Sequence, residues 1–504
     1  MWVFQSMIFE AFGAAFHNLS NPNLLLMLLA GVIIGVIVGI IPGISGMLAL
    51  ALILPFVFTM TPEQSMILMM AILSVQFMGG SISAILIGVP GVAASSAATV
   101  LDGFAMTQKG EGGRALGAAL TASFGGKVLT VIWALAMIPL VLPMIMALRS
   151  ADMVFIILLG LACIGVLASG SMIKGLLSGA IGLLISFIGF QDTTGVARFT
   201  FGSLYLYDGL PTVPVALGFF AVPEMISLAT TGGTLARTQI VIKGYQDVVR
   251  GMKDVLHHKM LLLRGSVIGF IVGLIPGIGA ETSVWVSYGQ AKLTSKHPEE
   301  FGHGTVEGVI APESANDAKE AGDLLTTLAL GIPGGSVYAL ILGAFIMLGL
   351  QPGPEMMTKH LDLSLTMLIT LLAASTIGAL ITLPLAPHLA KIAFIPGNVL
   401  CPLVLVLVSV GAYANQQSMA DVFALMVMST IGLTMKKFGY SRAGAFIGFV
   451  LGTLFERYFF ISFKLAGPLF FWRPISMVLL LTLIGLICYP LIRKMFPQQK
   501  KAQR

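Results

Sequence analysis

Charged residues are scarce in this 504-residue chain, which is 10% charged and 57% hydrophobic. Soluble domains carry roughly 25% charged residues, so the composition excludes an ordinary soluble domain. Long apolar runs, rather than short alternating strands, favour spanning helices over a barrel. Since each crossing needs roughly 20 apolar residues, the runs predict an all-α polytopic membrane protein with on the order of a dozen transmembrane helices.

Cysteine is rare and basic residues are unevenly distributed. The three cysteines lie in apolar runs, which predicts neither a disulfide framework nor a metal site. No Lys or Arg precedes Lys109, and the basic residues then gather at 109–114, at 237–264, at 436–442 and in the tail. The positive-inside rule places these clusters in the cytoplasm. The net charge of +6 therefore indicates membrane orientation, and no nucleic-acid partner is expected.

Motifs of membrane-embedded enzymes are missing from the sequence. It contains no HExxH or GxSxG, and residues 125–128 lack the Walker pattern. We therefore expect no enzyme, no catalytic residue, no bound cofactor and no ATP-driven transport. A channel is a further alternative, which uncoupled and non-saturating flux would favour.

What the chain does have is an internal repeat. Residues 35–46 read GVIVGIIPGISG and residues 269–280 read GFIVGLIPGIGA, identical at eight of twelve positions. A second pair of Pro-Gly steps follows, at Pro90-Gly91 and at Pro333-Gly334. Hydrophobic segments interrupted by Gly and Pro at corresponding places in two halves indicate a transporter binding site.

The distribution of charge orients the two copies. We predict a first transmembrane half at 1–230, a basic cytoplasmic linker at 231–264 and a second transmembrane half at 265–504. The first copy starts from a charge-free side and the second starts from the basic linker. Two copies that enter from opposite faces predict inverted-topology repeats.

The four Pro-Gly steps, here called the breaks, predict broken helices around a polar site at membrane depth. Backbone groups freed by proline and glycine must be satisfied by protein, water or a ligand in hydrocarbon. Helix N-termini after a break suit carboxylates, and carbonyls before a break suit Na⁺. Nearby hydroxyls suit a polar substrate or, as an alternative, close helix packing. The predicted substrate-binding residues are Pro42, Gly43, Ser45, Pro90, Gly91, Ser95, Pro276, Gly277, Pro333, Gly334 and Ser336.

Three polar residues of the second half are candidates for ion coupling, namely Glu281, Asn316 and Asp317. Glu281 stands where the first repeat has Met47, and an intramembrane carboxylate indicates function; a solvated interfacial position is the alternative. Asn316 and Asp317 belong to the charged stretch 311–323. This stretch either caps a helix that enters the site and supplies oxygen ligands, or is a solvated helix start.

Basic residues give the predicted site no clear counter-charge. Lys127 is either a counter-charge for an anion or, as we favour, a snorkelling residue at the start of a span. No arginine lies near any break. Neutral donors and bound cations, with Na⁺ a candidate coupling ion, would therefore have to compensate the charge of the substrate.

Four motifs together resemble the large membrane subunit of the bacterial tripartite tricarboxylate transporters, TctA. They are GIIPGISG at 39–46, APESANDA at 311–318, ALGIPGG at 329–335 and QPGP at 351–354. The resemblance covers essentially the whole chain. The chain departs from the family pattern at Asn316-Asp317, where two adjacent amides are usual.

This resemblance implies a three-component secondary transporter in the bacterial inner membrane. A periplasmic solute-binding protein (TctC-like) captures an organic acid, and a small membrane subunit (TctB-like) accompanies the large one in the lipid bilayer. The large subunit imports tricarboxylates or related acids by alternating access, driven by a Na⁺ or H⁺ gradient. The alternative is a stand-alone ion-coupled organic-anion transporter that needs no binding protein.

Overall fold

A computed structural model describes residues 2–41, 44–89, 93–167, 171–191, 194–230, 245–277, 280–389 and 397–495. The regular secondary structure of these residues is helical apart from one antiparallel strand pair, β1 (Gly189–Phe190) with β2 (Ala197–Arg198). The all-α prediction is confirmed. The helices are α1 (Trp2–Ser20), α2 (Pro22–Ile40), α3 (Gly46–Ile53), α4 (Pro62–Ile87), α5 (Ala97–Gln108), α6 (Gly112–Met146), α7 (Ser150–Leu167), α8 (Met172–Ser186), α9 (Thr212–Ala216), α10 (Val222–Thr230), α11 (Tyr245–His257), α12 (Lys259–Leu274), α13 (Ala280–Thr294), α14 (Glu307–Leu330), α15 (Tyr338–Met347), α16 (Pro354–Thr358), α17 (Leu361–Leu389), α18 (Gly397–Gln416), α19 (Met419–Lys437), α20 (Arg442–Ala466) and α21 (Pro474–Met495).

The long apolar helices make the chain a polytopic membrane protein. In the described part of the chain, seven helical segments are long and apolar enough to cross a membrane, or eight if α11 and α12, bent by 76°, form one span. Six shorter apolar helices accompany them. The seven segments are Pro22–Ile40, Pro62–Ile87, Gly112–Met146, Thr212–Thr230, Leu361–Ala386, Met419–Lys437 and Arg442–Trp472.

Contacts between residues divide the chain into two compact units. The first comprises Met1–Ile145 and Pro211–Thr434, and the second comprises Met146–Leu210 and Met435–Arg504. The first unit contains all four breaks. The predicted halves at 1–230 and 265–504 follow the sequence repeat rather than this grouping, and they stay a prediction.

The second unit packs α7, α8, α20 and α21 together. The Asp152 carboxylate at the start of α7 accepts hydrogen bonds from Ser476 Oγ at 2.5 Å and from Arg473 Nη1 at 2.6 Å. Arg198 of β2 makes a bidentate ion pair with Glu456 of α20 at 2.6 and 2.8 Å. Planar guanidinium and carboxylate groups match in this geometry, so the pair fixes the strand pair against α20.

Two helix pairs in the first unit pack in the same way. Helix α2 packs against α4 and helix α12 packs against α14, with glycines at the contact. A Cβ atom on Gly35 would lie 2.6 Å from the carbonyl oxygen of Ile72, so only glycine permits this approach. The glycines are Gly31, Gly35 and Gly39 on α2, and Gly265, Gly269 and Gly273 on α12. The two sets are offset by 234 residues, as the breaks that follow them are.

Both helix pairs run parallel. Gly31 faces Leu68 and Gly39 faces Gln76, so residue numbers rise together along α2 and α4. The same holds for α12 and α14, where Gly265 faces Ala311. A parallel partner requires the chain to return between the two helices. Helices α3 and α13, each followed by a 3₁₀ turn, occupy these returns.

The helices before the second break of each repeat end in the same conformation. Gly88 ends α4 with φ of 75°, and Gly331 ends α14 with φ of 69°. Glycine adopts this left-handed conformation at little cost, and it terminates helices. Each glycine precedes its proline by two residues. The duplicated sequence is therefore duplicated in backbone conformation.

Candidate functional site

Segments that follow the four breaks meet at one cavity of about 120 Å³ in the first unit. It is lined by the N-terminal ends of α3, α13 and α15 and by the 3₁₀ turn before α5, together with residues of α4 and α14. The first residues of a helix present unpaired N–H groups and a partial positive charge. Their convergence adds partial positive charge to the wall of the cavity.

The first repeat lines the cavity with uncharged polar groups. Ser45 caps α3, and its Oγ accepts a hydrogen bond from the backbone nitrogen of Leu48 at 3.3 Å. The side-chain amide of Gln76 on α4 occupies the space that any side chain at Gly46 would need. Ser95 lines the cavity from the 3₁₀ turn Ala93–Ser96. This wall can donate and accept hydrogen bonds without adding charge.

The second repeat supplies the charges. Lys319, Glu320 and Asp323 of α14 line the cavity, and Lys319 forms an ion pair with Asp323 one helical turn away. Lys319 Nζ and Asp323 Oδ2 each lie 3.0 Å from where a Cβ atom on Gly335 would stand. Glycine at this position therefore leaves room for the pair beside the start of α15. A lysine ammonium in a wall of helix N-termini makes the cavity a candidate site for carboxylates.

The backbone groups freed at the third and fourth breaks have partners. The Gly277 nitrogen donates to the Gly334 carbonyl at 2.8 Å, which joins the two breaks directly. Thr326 Oγ1 donates to the Leu274 carbonyl at the end of α12 at 3.2 Å. The Gly334 nitrogen donates to Thr327 Oγ1 at 3.1 Å. Hydrocarbon offers no hydrogen bonds, so backbone groups at a break within a membrane need partners of this kind.

The predicted substrate-binding residues fall into three groups. Residues that line the cavity are Ser45, Ser95 and Ser336. Residues in breaks that lie beside it, without lining it, are Pro276, Gly277, Pro333 and Gly334. Residues outside the described part of the chain are Pro42, Gly43, Pro90 and Gly91.

The ion-coupling candidates are separate from the cavity wall. Asn316 and Asp317 are fully buried on α14, one to two turns before the residues that line the cavity. Glu281 is in α13, and its side chain lies outside the described residues.

The charged stretch 311–323 lies in the middle of a helix, and its prediction as a cap or a solvated helix start is wrong. Helix α14 begins at Glu307, and its residues from Gly308 to Ala329 are buried. Helices α4, α5, α12, α13 and α17 pack around it. Carboxylates inside such a helix need partners from neighbouring helices, because buried charges are costly when unpaired.

Lys127 provides one of these partners, and its interpretation as a snorkelling residue is wrong. Its side chain is 0% exposed in α6. The ammonium forms an ion pair with Glu320 and lies 3.3 Å from Asp317 Oδ1. The carboxylates of α14 keep this lysine inside the protein, since the pairing compensates its desolvation.

Glu313 is held by hydroxyls. Its Oε2 accepts hydrogen bonds from Ser81 Oγ at 2.5 Å and from Ser123 Oγ at 3.1 Å, and its Oε1 accepts one from Thr99. These three residues, the hydroxyl cluster, come from α4, α6 and α5 and are fully buried. A carboxylate of the second repeat is thus held by three helices of the first half.

Sequence reasoning missed Lys319, Glu320, Asp323 and Glu313 as site residues. Their spacing carried a signal, because residues three, four and seven apart share one face of a helix. Glu313, Asp317 and Glu320 have this spacing. The sequence 307–330 nevertheless does not resemble a membrane helix, because it contains six charged residues.

Broken helices around a polar cavity, with ion pairs buried among apolar helices, define a membrane transport protein. The chain belongs to the tripartite tricarboxylate transporter TctA family, whose model matches residues 25–447. The resemblance found from the motifs is confirmed.

Two similar proteins come from Agrobacterium vitis. An uncharacterized 52.8 kDa protein of the TAR-I ttuC' 3' region is 35% identical over 443 residues, which is 87% of each chain. An uncharacterized protein of the TAR-II ttuC' 3' region is 35% identical over 223 residues, which is 44% of this chain and 91% of that one. No solved structure matches the chain.

Proposed function

We propose that this chain is the large transmembrane subunit of a binding-protein-dependent secondary transporter that imports a tricarboxylate or a related organic acid across the bacterial inner membrane. The observation that carries the proposal is the cavity where segments following all four breaks meet, with Lys319 in its wall. Helix N-termini and an ammonium group are the partners that carboxylates prefer in proteins. Family membership supports the carboxylate class.

In this proposal, a carboxylate of the substrate takes the place of the Asp323 carboxylate as the partner of Lys319. Lys319 is paired with Asp323 in the cavity wall. An entering carboxylate competes for the ammonium and places its second oxygen toward the start of α15, where Ser336 lies. Ser45 and Gln76, which belong to the first repeat, face the rest of the substrate. Both repeats would therefore contact one substrate.

The size of the cavity supports alternating access. The volume of the cavity is about 120 Å³. Pockets for organic ligands are usually about 300 Å³ or larger. In this proposal the cavity walls must therefore move apart to admit a tricarboxylate. Such a movement occurs when a transporter passes from a closed state to one that is open to one side.

The relation between α4 and α14 supports inverted-topology repeats. Ser81, late in α4, contacts Glu313 early in α14. Leu73, earlier in α4, lines the same cavity as Asp323, later in α14. The two helices therefore pass each other in opposite directions, as inverted copies do. The long spans and the shorter apolar helices together support about a dozen crossings, some of them broken.

A solute-binding protein and a small membrane subunit are the proposed partners, because the family is that of a tripartite system. The test is reconstitution of the purified membrane subunits in liposomes, with [¹⁴C]citrate and other labelled di- and tricarboxylates as probes. We expect accumulation only when the co-encoded binding protein is added and a Na⁺ or pH gradient is imposed. Accumulation without the binding protein would support the stand-alone transporter. Flux that neither saturates nor responds to a gradient would contradict both.

A further inference from the structure

Glu313 stands apart from the other carboxylates of α14 because it has no cationic partner among the described residues. Lys127 pairs with Glu320 and Asp317, and Lys319 pairs with Asp323. Four buried carboxylates thus share two ammonium groups. With every group ionised, two negative charges remain uncompensated in a medium of low dielectric constant. Such groups take up a proton or a bound cation.

The hydroxyl cluster favours a proton over a metal ion at Glu313. Ser81, Thr99 and Ser123 already contact the two carboxylate oxygens at hydrogen-bond distance. A metal ion needs several oxygens arranged around a space of its own, whereas a proton adds no volume.

Asn316 is an independent sign of a polar ligand beside Glu313. Its side chain is 0% exposed, and among the described residues neither its Oδ1 nor its Nδ2 has a hydrogen-bond partner. Asn316 follows Glu313 by three residues and precedes Glu320 by four, so all three lie toward one side of α14. Since Glu320 lines the cavity, the amide stands between the cavity and Glu313. A buried amide of this kind binds water, which can carry a proton along this face.

We propose that Glu313 binds the coupling proton of the transport cycle, which makes H⁺ the coupling ion. This inference rests on the proposed function. A hydronium ion gives a proton to one carboxylate oxygen of Glu313 and leaves as water, and the reverse step releases the proton to the other side. When a proton binds to Glu313, one hydroxyl that donated to that oxygen loses its acceptor and needs another. Ser81 has one, since its Oγ lies 2.9 Å from the carbonyl oxygen of Phe77.

Protonation of Glu313 acts on the interface between the two repeats. Hydrogen bonds to an ionised carboxylate are roughly twice as strong as bonds between neutral groups. Ionised Glu313 therefore holds α14 tightly against α4, α5 and α6, and neutral Glu313 holds it less tightly. Because α4 and α14 both line the cavity, proton binding shifts the equilibrium between states in which the cavity is closed and open.

Asp317 and Asp102 are two other buried carboxylates on the helices around Glu313 in the described part of the chain. On α14 itself, Asp317 Oδ1 lies 3.3 Å from the ammonium of Lys127 of α6, although neither of its oxygens has a hydrogen-bond partner among the described residues. Arg114, the other charged residue of α6, pairs with Glu111 and Asp254. On α5, Asp102 accepts hydrogen bonds from Tyr288 of α13 and from the backbone of Gly302, Gly304 and Thr305. Helix α4 carries no charged residue after Glu63. Among these described groups, Glu313 and Asp102 are held by neutral donors alone, and Glu313 is the one whose helix lines the cavity.

The test uses the reconstituted complex with its binding protein and the Glu313→Gln variant, which mimics the protonated state. With [¹⁴C]citrate as probe, we expect pH-gradient-driven accumulation to fall at least tenfold. Exchange of external for preloaded internal citrate should persist, because it needs no net proton movement. Accumulation driven by the pH gradient at the wild-type level in Glu313→Gln would overturn the inference.

A matched pair of serine variants tests the cluster while Glu313 stays in place. Ser81→Ala removes a hydrogen bond to the ionised carboxylate, so the pH midpoint of uptake should rise by about one unit. Ser83→Ala is the control, since Ser83 Oγ bonds the carbonyl of Gly80 in its own helix. Equal midpoints in the two variants would contradict the role of the cluster.

Infrared spectroscopy separates this inference from the proposed function. The wild-type complex should show a carbonyl band of a buried carboxylic acid that titrates with pH, and Glu313→Gln should lack it. If wild type transports no carboxylate, the proposed function fails, and loss of this band would still support Glu313 as a proton-binding group. A titrating band that persists in Glu313→Gln would overturn the assignment.

Discussion

Lys127 of α6 forms a buried ion pair with Glu320 of α14, and Glu320 also lines the cavity. The pair therefore links a helix of the first half to the cavity wall of the second. Asp317 shares the same ammonium at 3.3 Å. The stability of the protein and the shape of the cavity depend on the same three side chains.

Removal of Lys127 should destabilise the protein strongly. Lys127→Met keeps the volume of the side chain but leaves Asp317 and Glu320 buried without a cation. Breaking a buried pair from one side costs about 3–5 kcal/mol. We expect a clear fall in the melting temperature of the detergent-solubilised protein, measured by intrinsic fluorescence. Lys109→Met is the control, because Lys109 is exposed at the end of α5.

Neutralising the carboxylates together with Lys127 should restore stability. The triple variant Lys127→Met, Asp317→Asn, Glu320→Gln contains none of these three charges. It should melt within a few degrees of wild type, since replacing a whole buried ion group is often neutral. If Lys127→Met melts like Lys109→Met, the ion pair does not contribute as described.

Lys319 should be needed for substrate affinity rather than for folding. The double variant Lys319→Gln, Asp323→Asn removes both charges of the cavity pair and leaves no unpaired carboxylate there. Losing a charge-assisted contact costs about 2–5 kcal/mol, or at least a tenfold loss in affinity. Saturation of citrate uptake measures this loss, with Lys292→Gln at the exposed end of α13 as control. Unchanged half-saturation in the double variant would remove Lys319 from the substrate site.

A bulky residue at Ser336 should block transport without preventing membrane insertion. Ser336 lines the cavity beside the start of α15, and an indole ring would fill a large part of about 120 Å³. We expect Ser336→Trp to reduce uptake at least tenfold with a normal amount of protein in the membrane. Ser409→Trp, on an exposed position of α18, should transport like wild type. Normal uptake by Ser336→Trp would place the pathway elsewhere.

The glycine contact between α12 and α14 should tolerate no side chain. A Cβ atom on Gly273 would meet the carbonyl oxygen of Lys319 and lie 3.0 Å from the nitrogen of Asp323. Gly273→Ala must therefore displace the part of α14 that lines the cavity, at a cost of about 1–3 kcal/mol. Gly289→Ala is the matched control, because nothing lies within 4 Å of its Cβ position. A melting temperature for Gly273→Ala at or above that of Gly289→Ala would contradict this packing.

The positions of the breaks could be predicted from the sequence more readily than the side-chain contacts around the cavity. Proline and glycine act locally, so the breaks were visible as a repeated pattern. Ser45, Ser95 and Ser336 stand next to the breaks in the sequence, and all three line the cavity. The repeat alone was enough to select them as candidates.

The ion pairs could not be predicted, because they depend on which helices meet. Lys127 and Glu320 are 193 residues apart in the chain, and nothing local to Lys127 distinguishes pairing from snorkelling. Glu313 likewise takes its hydroxyl partners from three helices of the first half. Such contacts depend on tertiary packing, which cannot be predicted from one sequence by local patterns.

Substrate protection of a single cysteine tests the central claim, that the cavity binds the transported acid. The background replaces Cys163, Cys401 and Cys488, and Ser336→Cys and Ser409→Cys are labelled with a small maleimide in the reconstituted complex. With citrate and the binding protein present, labelling at Ser336→Cys should slow at least fivefold while labelling at Ser409→Cys stays constant. A labelling rate at Ser336→Cys that no di- or tricarboxylate changes, in a complex that transports one of them, would contradict the account.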